Sequence, residues 1–472
     1  MGQENRYDLV ILGAGPGGYV AAIQAAKLGM KTAVVEKDKV GGTCLNRGCI
    51  PTKTLMHTAH AYYEALHMEE MGLCMDNLKL DPAKLQERKE QVMSQLREGI
   101  SALLKANQVE VYEGCAAVIG ADQVKVTGNA GEETLLQTEK ILVATGSRPS
   151  MPPIEGIKDC GALTSDELLG EEFTMYDSLL IVGGGVIGVE FGTIYADLGC
   201  KVEIVEAMDR ILPGMDRELS QSAAMNLKKR GVKIHTGSMV TKLCRTPEGV
   251  ACYFTEKGKE LSASAQAVLI SIGRKPNTEG LFAPEVTPEM ERGFLKVDEN
   301  FATSIPGIYA IGDVTGGILL AHMASAQALA AVRAMAGQPA NMDLSVVPSC
   351  IYTAPEIASV GLTEAEAKAQ GLTTLCGKYS MLGNGKTIIA GGERGFIKVV
   401  LDAQTHRLLG AQMLCDRATD MIGELSSAMV NGLTAEALLQ VIRPHPTYGE
   451  AVTEALEDAI GEAIHVMPKK KR

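Results

Sequence analysis

Tyr7-Asp8-Leu9-Val10-Ile11-Leu12, followed at once by Gly13-Ala14-Gly15-Pro16-Gly17-Gly18, decides how the rest of the chain is read. A short apolar run closed by a glycine cluster predicts a buried β-strand. An amphipathic helix is expected next, from about Tyr19 to Leu28, and then a second strand, Lys31 to Val35, ending at Glu36. In such a strand–turn–helix Gly13 permits the tight turn, Gly15 lets the backbone approach a pyrophosphate, and Gly18 lets helix and strand pack closely. The helix N-terminus offers N–H groups to phosphate, and Glu36 stands where a carboxylate can bind both ribose hydroxyls. One G-x-G-x-x-G is weak and could be a plain glycine-rich turn. Here it occurs twice: Leu179 to Val182 leads into Gly183-Gly184-Gly185-Val186-Ile187-Gly188, a helix, and a strand, Lys201 to Val205, ending at Glu206. The carboxylate follows the first glycine by 23 residues in both copies (Gly13 to Glu36, Gly183 to Glu206), and the copies lie 170 residues apart.

The second acid also selects the nucleotide. A carboxylate at Glu206 accepts hydrogen bonds from a free 2′-hydroxyl and repels a 2′-phosphate, which favours NAD over NADP. Arg210 follows this acid rather than replacing it.

At 472 residues the chain has room for about three domains of roughly 150 residues each. A net charge of −12 disfavours nucleic acid as a partner, because phosphate binding needs a cationic footprint. The basic run Lys469-Lys470-Lys471-Arg472 reads as a solvated tail. No apolar run approaches the ~20 residues of a membrane span, and the polar N-terminus is not a secretory signal, so a cytoplasmic location is expected. Eleven cysteines, mostly isolated, do not form a secreted disulfide framework, and nine are expected to be reduced, mostly buried thiols.

The exceptions are Cys44 and Cys49, within Gly41-Gly42-Thr43-Cys44-Leu45-Asn46-Arg47-Gly48-Cys49-Ile50-Pro51-Thr52-Lys53. On a regular helix their Cα atoms would lie roughly 8–9 Å apart, beyond the ~7 Å reach of a disulfide. They can bond only through a distorted turn, which Gly48 and Pro51 would permit. Two plain buried thiols, or a zinc site completed by His57 and His60, remain as alternatives.

This stretch resembles the active-site motif of the dihydrolipoamide dehydrogenase branch of the FAD-dependent pyridine nucleotide-disulfide oxidoreductases. Ala144-Thr145-Gly146-Ser147-Arg148-Pro149, Ile272-Gly273-Arg274-Lys275-Pro276-Asn277, Ile311-Gly312-Asp313 and His445-Pro446-Thr447-Tyr448-Gly449-Glu450 follow in the same order, so the resemblance covers essentially the whole chain. It implies that Cys44 attacks the substrate disulfide and that Cys49 lies against the flavin, with no metal. Lys53 would sit beside the flavin ring, paired with Glu190. Asp313 would bind the ribityl or phosphate portion, Ala321 would lie near the ring, and Gly114 would touch the adenine. Gly273 would join Gly183, Gly185, Gly188 and Glu206 in the NAD site.

His445 and Glu450 alone are a weak signal, yet thiol exchange needs a base, and a carboxylate on the far nitrogen fixes the imidazole tautomer. The resemblance assigns them that role, across a homodimer, and Pro446 makes a cis His445–Pro446 bond inexpensive. The implied fold is α/β: two Rossmann-like dinucleotide-binding domains plus a C-terminal α+β dimerisation domain. Residues 1–150 and 274–345 would bind FAD, 151–273 NAD, and 346–472 would form the interface. The implied reaction oxidises dihydrolipoamide to lipoamide and reduces NAD⁺. The lipoyl group would come from a lipoyl domain of a 2-oxoacid dehydrogenase complex or from a glycine-cleavage carrier protein. The nearest competing reading is another FAD-dependent disulfide reductase, such as a glutathione reductase. That enzyme would want basic residues where Glu206 stands, and a mercuric reductase would want a C-terminal cysteine pair, whereas the last cysteine here is Cys415.

Overall fold

The protein is described by a computed structural model covering residues 5–340 and 342–467. The basic run 469–472 lies outside the described residues. Strand Arg6–Leu12 runs parallel to Thr32–Glu36 on one side and to the long strand Glu133–Val143 on the other. Glu110–Glu113 and Ile308–Ala310 extend the parallel sheet at its two ends. Successive side chains of a strand point to opposite faces. Leu9 and Ile11 therefore pack on helices Pro16–Lys27 and Ala321–Met335, while Val10 and Leu12 face strands Cys115–Gly120 and Gln123–Thr127. Both faces are covered, so the whole strand reads as apolar. The first helix begins at Pro16, three residues before the sequence suggests, because proline's fixed φ and missing N–H suit a first helical turn.

The second fingerprint builds the same arrangement. Four parallel strands lie in the order Lys233–Thr236, Lys201–Glu206, Ser178–Val182, Ala267–Ile270. Leu179 and Ile181 face helices, and Leu180 and Val182 face an antiparallel sheet of Ser238–Thr246, Gly249–Glu256 and Lys259–Ala265. The chain passes from the first unit to the second through Ser147–Pro149 and comes back through Arg274–Pro276, which pairs with it antiparallel.

The C-terminal unit is a five-stranded sheet in the order Ser349–Ile351, Ile357–Gly361, Leu408–Leu414, Phe396–Asp402, Thr374–Ser380. Phe396–Leu401 is apolar but for Lys398, and all six residues are buried. Ile397, Val399 and Leu401 pack on helices of their own unit, whereas Phe396 joins the core of the second unit. That second core also takes in Leu55, Met56 and Ala59, so three parts of the chain share it. The other cysteines are less uniform than composition suggests. Cys160, Cys200, Cys252 and Cys415 are buried, but Cys74 and Cys115 are exposed, in a surface loop and on an outward-facing strand position. Among the described residues no helix is long and apolar enough to cross a membrane.

Candidate active site

Both dinucleotide turns sit at the C-terminal edge of a parallel sheet. Gly13 and Gly183 adopt φ of +100° and +107°, where a side chain is strained. A β-carbon at Gly18 or Gly188 would lie 1.8 or 2.0 Å from the carbonyl oxygen of Gly13 or Gly183, so both glycines are demanded by the turn itself. Gly15 and Gly185 differ. A β-carbon there would meet Gly42 Cα at 3.8 Å in the first case and nothing within 4 Å in the second. No protein wall explains these two glycines; each leaves open a cradle that a β-carbon would fill. Each is the N-cap of a helix with no side-chain cap and no acid in its first turn, so the leading N–H groups are left for an anion.

Glu36 accepts the Ala14 amide at 2.7 Å and the Asp38 amide at 3.0 Å. Glu206 accepts Gly184 at 2.5 Å and Met208 at 2.7 Å. Burial pushes the Glu36 carboxyl above its usual range, opposed by the Ala14 amide and by Lys37. Gly114 donates to the Glu36 carbonyl at 2.9 Å, and Gly273, φ +115°, follows the last parallel strand of the second unit. Asp313 accepts from the Ser147 hydroxyl at 2.6 Å, and Arg274 binds the same hydroxyl at 2.7 Å. Ala321 opens the helix lying along Pro16–Lys27. These residues fit a dinucleotide at each turn.

The two cysteines occupy two helices rather than one. Gly42–Arg47 ends at Gly48, Cys49–Leu66 begins immediately after, and Pro51 sits in the first turn of the second helix. A β-carbon at Gly48 would approach the Thr43 carbonyl to 3.0 Å, so glycine makes the break possible. The break brings Cys44 and Cys49 together as two thiols that share a hydrogen bond. That bond, with burial, pushes the Cys44 thiol up. From the other side the bond lowers Cys49 to about 7 against burial, and Lys53 assists. Lys53 binds both oxygens of the buried Glu190 carboxylate, at 2.9 and 2.7 Å. His60 pairs with Glu64 at 3.1 Å rather than with either thiol.

Tyr352 was missed by the sequence reading. Its ring lies 4.8 Å from Lys53 Nζ and its amide donates to Glu190 at 3.2 Å. It belongs to no motif, so no local signal marks it.

His445 Nδ1 lies 2.7 Å from Glu450 Oε1, and Thr447 N–H donates to the other oxygen at 2.7 Å. Desolvation opposes ionisation of Glu450, but the Thr447 amide and His445 together hold its carboxyl below the usual range. The His445–Pro446 bond is cis, as is Ala354–Pro355. The His445 side chain is 78% exposed, and among the described residues its polar contacts do not include Cys44, Cys49 or Lys53.

Two dinucleotide turns, one beside a thiol pair that can be oxidised to a disulfide, define a flavin- and pyridine-nucleotide-linked disulfide oxidoreductase. The chain belongs to the pyridine nucleotide-disulphide oxidoreductase family: residues 7–328 match the family model and residues 347–456 match its dimerisation domain. It is 42% identical to a dihydrolipoyl dehydrogenase of Bacillus subtilis (strain 168), over 97% of this chain and 99% of that one. It is 39% identical to the dihydrolipoyl dehydrogenase of Geobacillus stearothermophilus, over 98% of each. Among solved structures, LpdA of Mycobacterium tuberculosis superposes with a TM-score of 0.88 at 28% identity, covering 96% of this chain and 99% of that one. The HOCl-induced flavoprotein disulfide reductase RclA of Escherichia coli, in its Cu(II) complex, superposes with a TM-score of 0.85 at 30% identity, over 96% and 99%.

Proposed function

We propose that this chain is a dihydrolipoyl dehydrogenase that oxidises protein-bound dihydrolipoamide and reduces NAD⁺ through Cys44, Cys49 and FAD. The observation that carries the reading is the setting of the thiol pair. The break at Gly48 brings Cys44 and Cys49 together beside the first dinucleotide turn, where Lys53 is bound to the buried Glu190. Gly13, Gly15, Gly18, Glu36, Gly114, Asp313 and Ala321 would hold FAD in the unit formed by 1–150 and 274–345. Gly183, Gly185, Gly188, Glu206 and Gly273 would hold NAD in 151–273.

With the Cys44–Cys49 disulfide formed, one substrate sulfur attacks Cys44 as a thiolate, and Cys49 leaves as a thiolate stabilised by Lys53. The base that takes the substrate proton must come from elsewhere, since His445 makes no contact with the pair in its own chain. In a homodimer built through residues 346–472, His445 of the partner subunit supplies it, with the tautomer fixed by a carboxylate at Nδ1. Ile442, 96% exposed three residues before His445, and Ile388 and Ile389, each 65% exposed, provide apolar surface for a second copy to cover. As the second substrate sulfur attacks the mixed disulfide and releases lipoamide, the imidazolium passes its proton to the departing Cys44 sulfur and the freed imidazole takes the proton of the attacking thiol. Bound FAD would supply the route by which two electrons of the dithiol reach NAD⁺ as hydride, while the Cys44–Cys49 disulfide re-forms and the Cys44 proton is released. Glu206 excludes a 2′-phosphate from the nucleotide.

The lipoyl partner is a lipoyl domain of a 2-oxoacid dehydrogenase complex or a glycine-cleavage carrier protein. A cytoplasmic setting suits the exposed free thiols Cys74 and Cys115.

The test is anaerobic turnover with NADH against lipoamide, glutathione disulfide and oxygen, repeated with NADPH. Fast NADH–lipoamide turnover, abolished in Cys44→Ser with FAD retained, supports the reading. Preference for NADPH and glutathione disulfide would move the enzyme to a glutathione-reductase-like activity.

A further inference from the structure

Where the redox helix meets the second unit, a cluster of buried charged side chains lies distant from the cysteines. Helix Val186–Asp197 lies along Cys49–Leu66, and Glu190 near its start holds Lys53. Asp197, seven residues further and therefore on the same helical face, is 1% exposed and pairs with Arg230. Arg230 is the C-cap of helix Arg217–Lys229 and is itself 3% exposed. Its second nitrogen reaches Glu393 of the C-terminal unit at 3.1 Å. Its guanidinium lies 4.3 Å from the ring centroid of Tyr63, on the redox helix. Tyr63 stands ten residues, about 15 Å of helix, beyond Lys53. One buried side chain thus touches the redox helix, the second dinucleotide unit and the C-terminal unit.

The other end of helix Arg217–Lys229 is fixed as well: its N-cap Asp216 is bound by Lys398 of the C-terminal sheet at 2.8 Å. Among the described residues Arg230 Nε and Asn226 Nδ2 have no protein partner, and both residues line a cavity of about 10 Å³, the room of a single water.

We propose that Arg230 is a positioning residue for the thiol chemistry. Through Asp197 and Tyr63 it sets how far helix Val186–Asp197 is advanced along the redox helix, and so where Glu190 meets Lys53 beside Cys49. The proposal rests on the thiol-pair mechanism above. A buried guanidinium suits this task because its planar fork fixes direction as well as charge, which a lysine ammonium does not.

The test is a double-mutant cycle on the FAD-loaded enzyme with Arg230→Met, Glu190→Gln and the combined variant. Each single substitution is expected to lower kcat about tenfold, because sub-ångström misplacement at a reacting centre is enough to do so. If Arg230 works through Glu190, adding Arg230→Met to Glu190→Gln lowers kcat by no more than about twofold further. The KM for NADH stays within about twofold throughout, and Arg230→Lys falls between wild type and Arg230→Met. Independent, multiplicative losses, or a raised KM with kcat unchanged, would overturn the proposal and leave Arg230 a general prop of the fold. If Arg230→Met fails to hold FAD, the same cycle is run with Arg230→Met/Asp197→Leu, which removes the buried pair together. A wild-type enzyme that does not turn over lipoamide would count against the dihydrolipoyl dehydrogenase reading alone. Arg230 is then judged on the rate at which NADH generates free thiols at Cys44 and Cys49, which needs no lipoamide.

Discussion

Replacing Gly188 by alanine separates the two nucleotide sites by steric means. The added β-carbon would stand 2.0 Å from the Gly183 carbonyl oxygen and 2.8 Å from Ser271 Oγ. A carbon–oxygen contact relaxes to about 3.3 Å, so the start of helix Val186–Asp197 must retreat from its strand by about 1.3 Å. A phosphate hydrogen bond of ~2.9 Å stretched by that amount is lost. Losing two bonds to a charged acceptor, each about 1.5–3 kcal/mol, weakens NADH binding by at least about 3 kcal/mol, or roughly 100-fold in KM. Overpacking costs about 1–3 kcal/mol of stability, which a domain of ordinary stability survives. FAD content, read from visible absorbance per protein, should therefore stay at wild-type level. Gly18→Ala, with its β-carbon 1.8 Å from the Gly13 oxygen, should do the reverse and yield protein without flavin. Loss of flavin from Gly188→Ala with retention in Gly18→Ala would mean that the two sites are assigned the wrong way round. An unchanged KM for NADH in Gly188→Ala would refute the steric argument itself.

Three further outcomes follow from the site. Lys53 assists the lowering of Cys49 to about 7, so Lys53→Met should move that titration to higher pH, followed by ultraviolet thiolate absorbance of the reduced protein against a Cys49→Ser control. Because the folded value is depressed, the thiolate's stabilising contribution is complete at alkaline pH and is lost as pH falls through about 7. A titration that stayed in place would exclude Lys53 as a cause. Glu450→Gln keeps the shape of the pair with His445 but removes its charge, and charge-assisted bonds are about twice as strong as neutral ones. Steady-state kinetics should show kcat reduced about tenfold with KM for NADH unchanged. Lys398→Met strands the Asp216 carboxylate, the two side chains being 11% and 10% exposed. Denaturant unfolding should show a loss of about 3–5 kcal/mol, and a loss under about 1 kcal/mol would mean that water reaches the pair.

The parts of this molecule that sequence exposes best are those whose physics is local. A glycine that must take φ near +100°, or whose β-carbon would strike its own turn, leaves a mark within a few residues, and both dinucleotide turns were legible for that reason. Glu36 and Glu206 were legible through a repeated spacing instead: each ends the strand that follows its turn, bonded to an amide of that turn 22 positions back and to one two residues on. The thiol pair was legible as an anomaly, since five residues of unbroken helix cannot bring two cysteines together, and Gly48 and Pro51 marked where the turn could distort; that the distortion divides the stretch into two helices appears only in three dimensions. Family resemblance, not periodicity, suggested Lys53 with Glu190, which lie 137 residues apart.

What stayed hidden is what joins the units. Asp216, Arg230, Glu393 and Lys398 are charged and scattered over nearly 200 positions, and any reading by hydrophobic period places such residues in solvent. They are nonetheless drawn from water where one unit meets another, because a surface can be closed by paired charges as well as by apolar side chains. Phe396–Leu401 shows the same limit from the apolar side: the strand is buried on both faces because a different unit covers the second one. Periodicity records the faces that a segment buries within its own unit. The faces buried between units must be sought among residues that look misplaced, and in this chain those are the buried ions around Arg230.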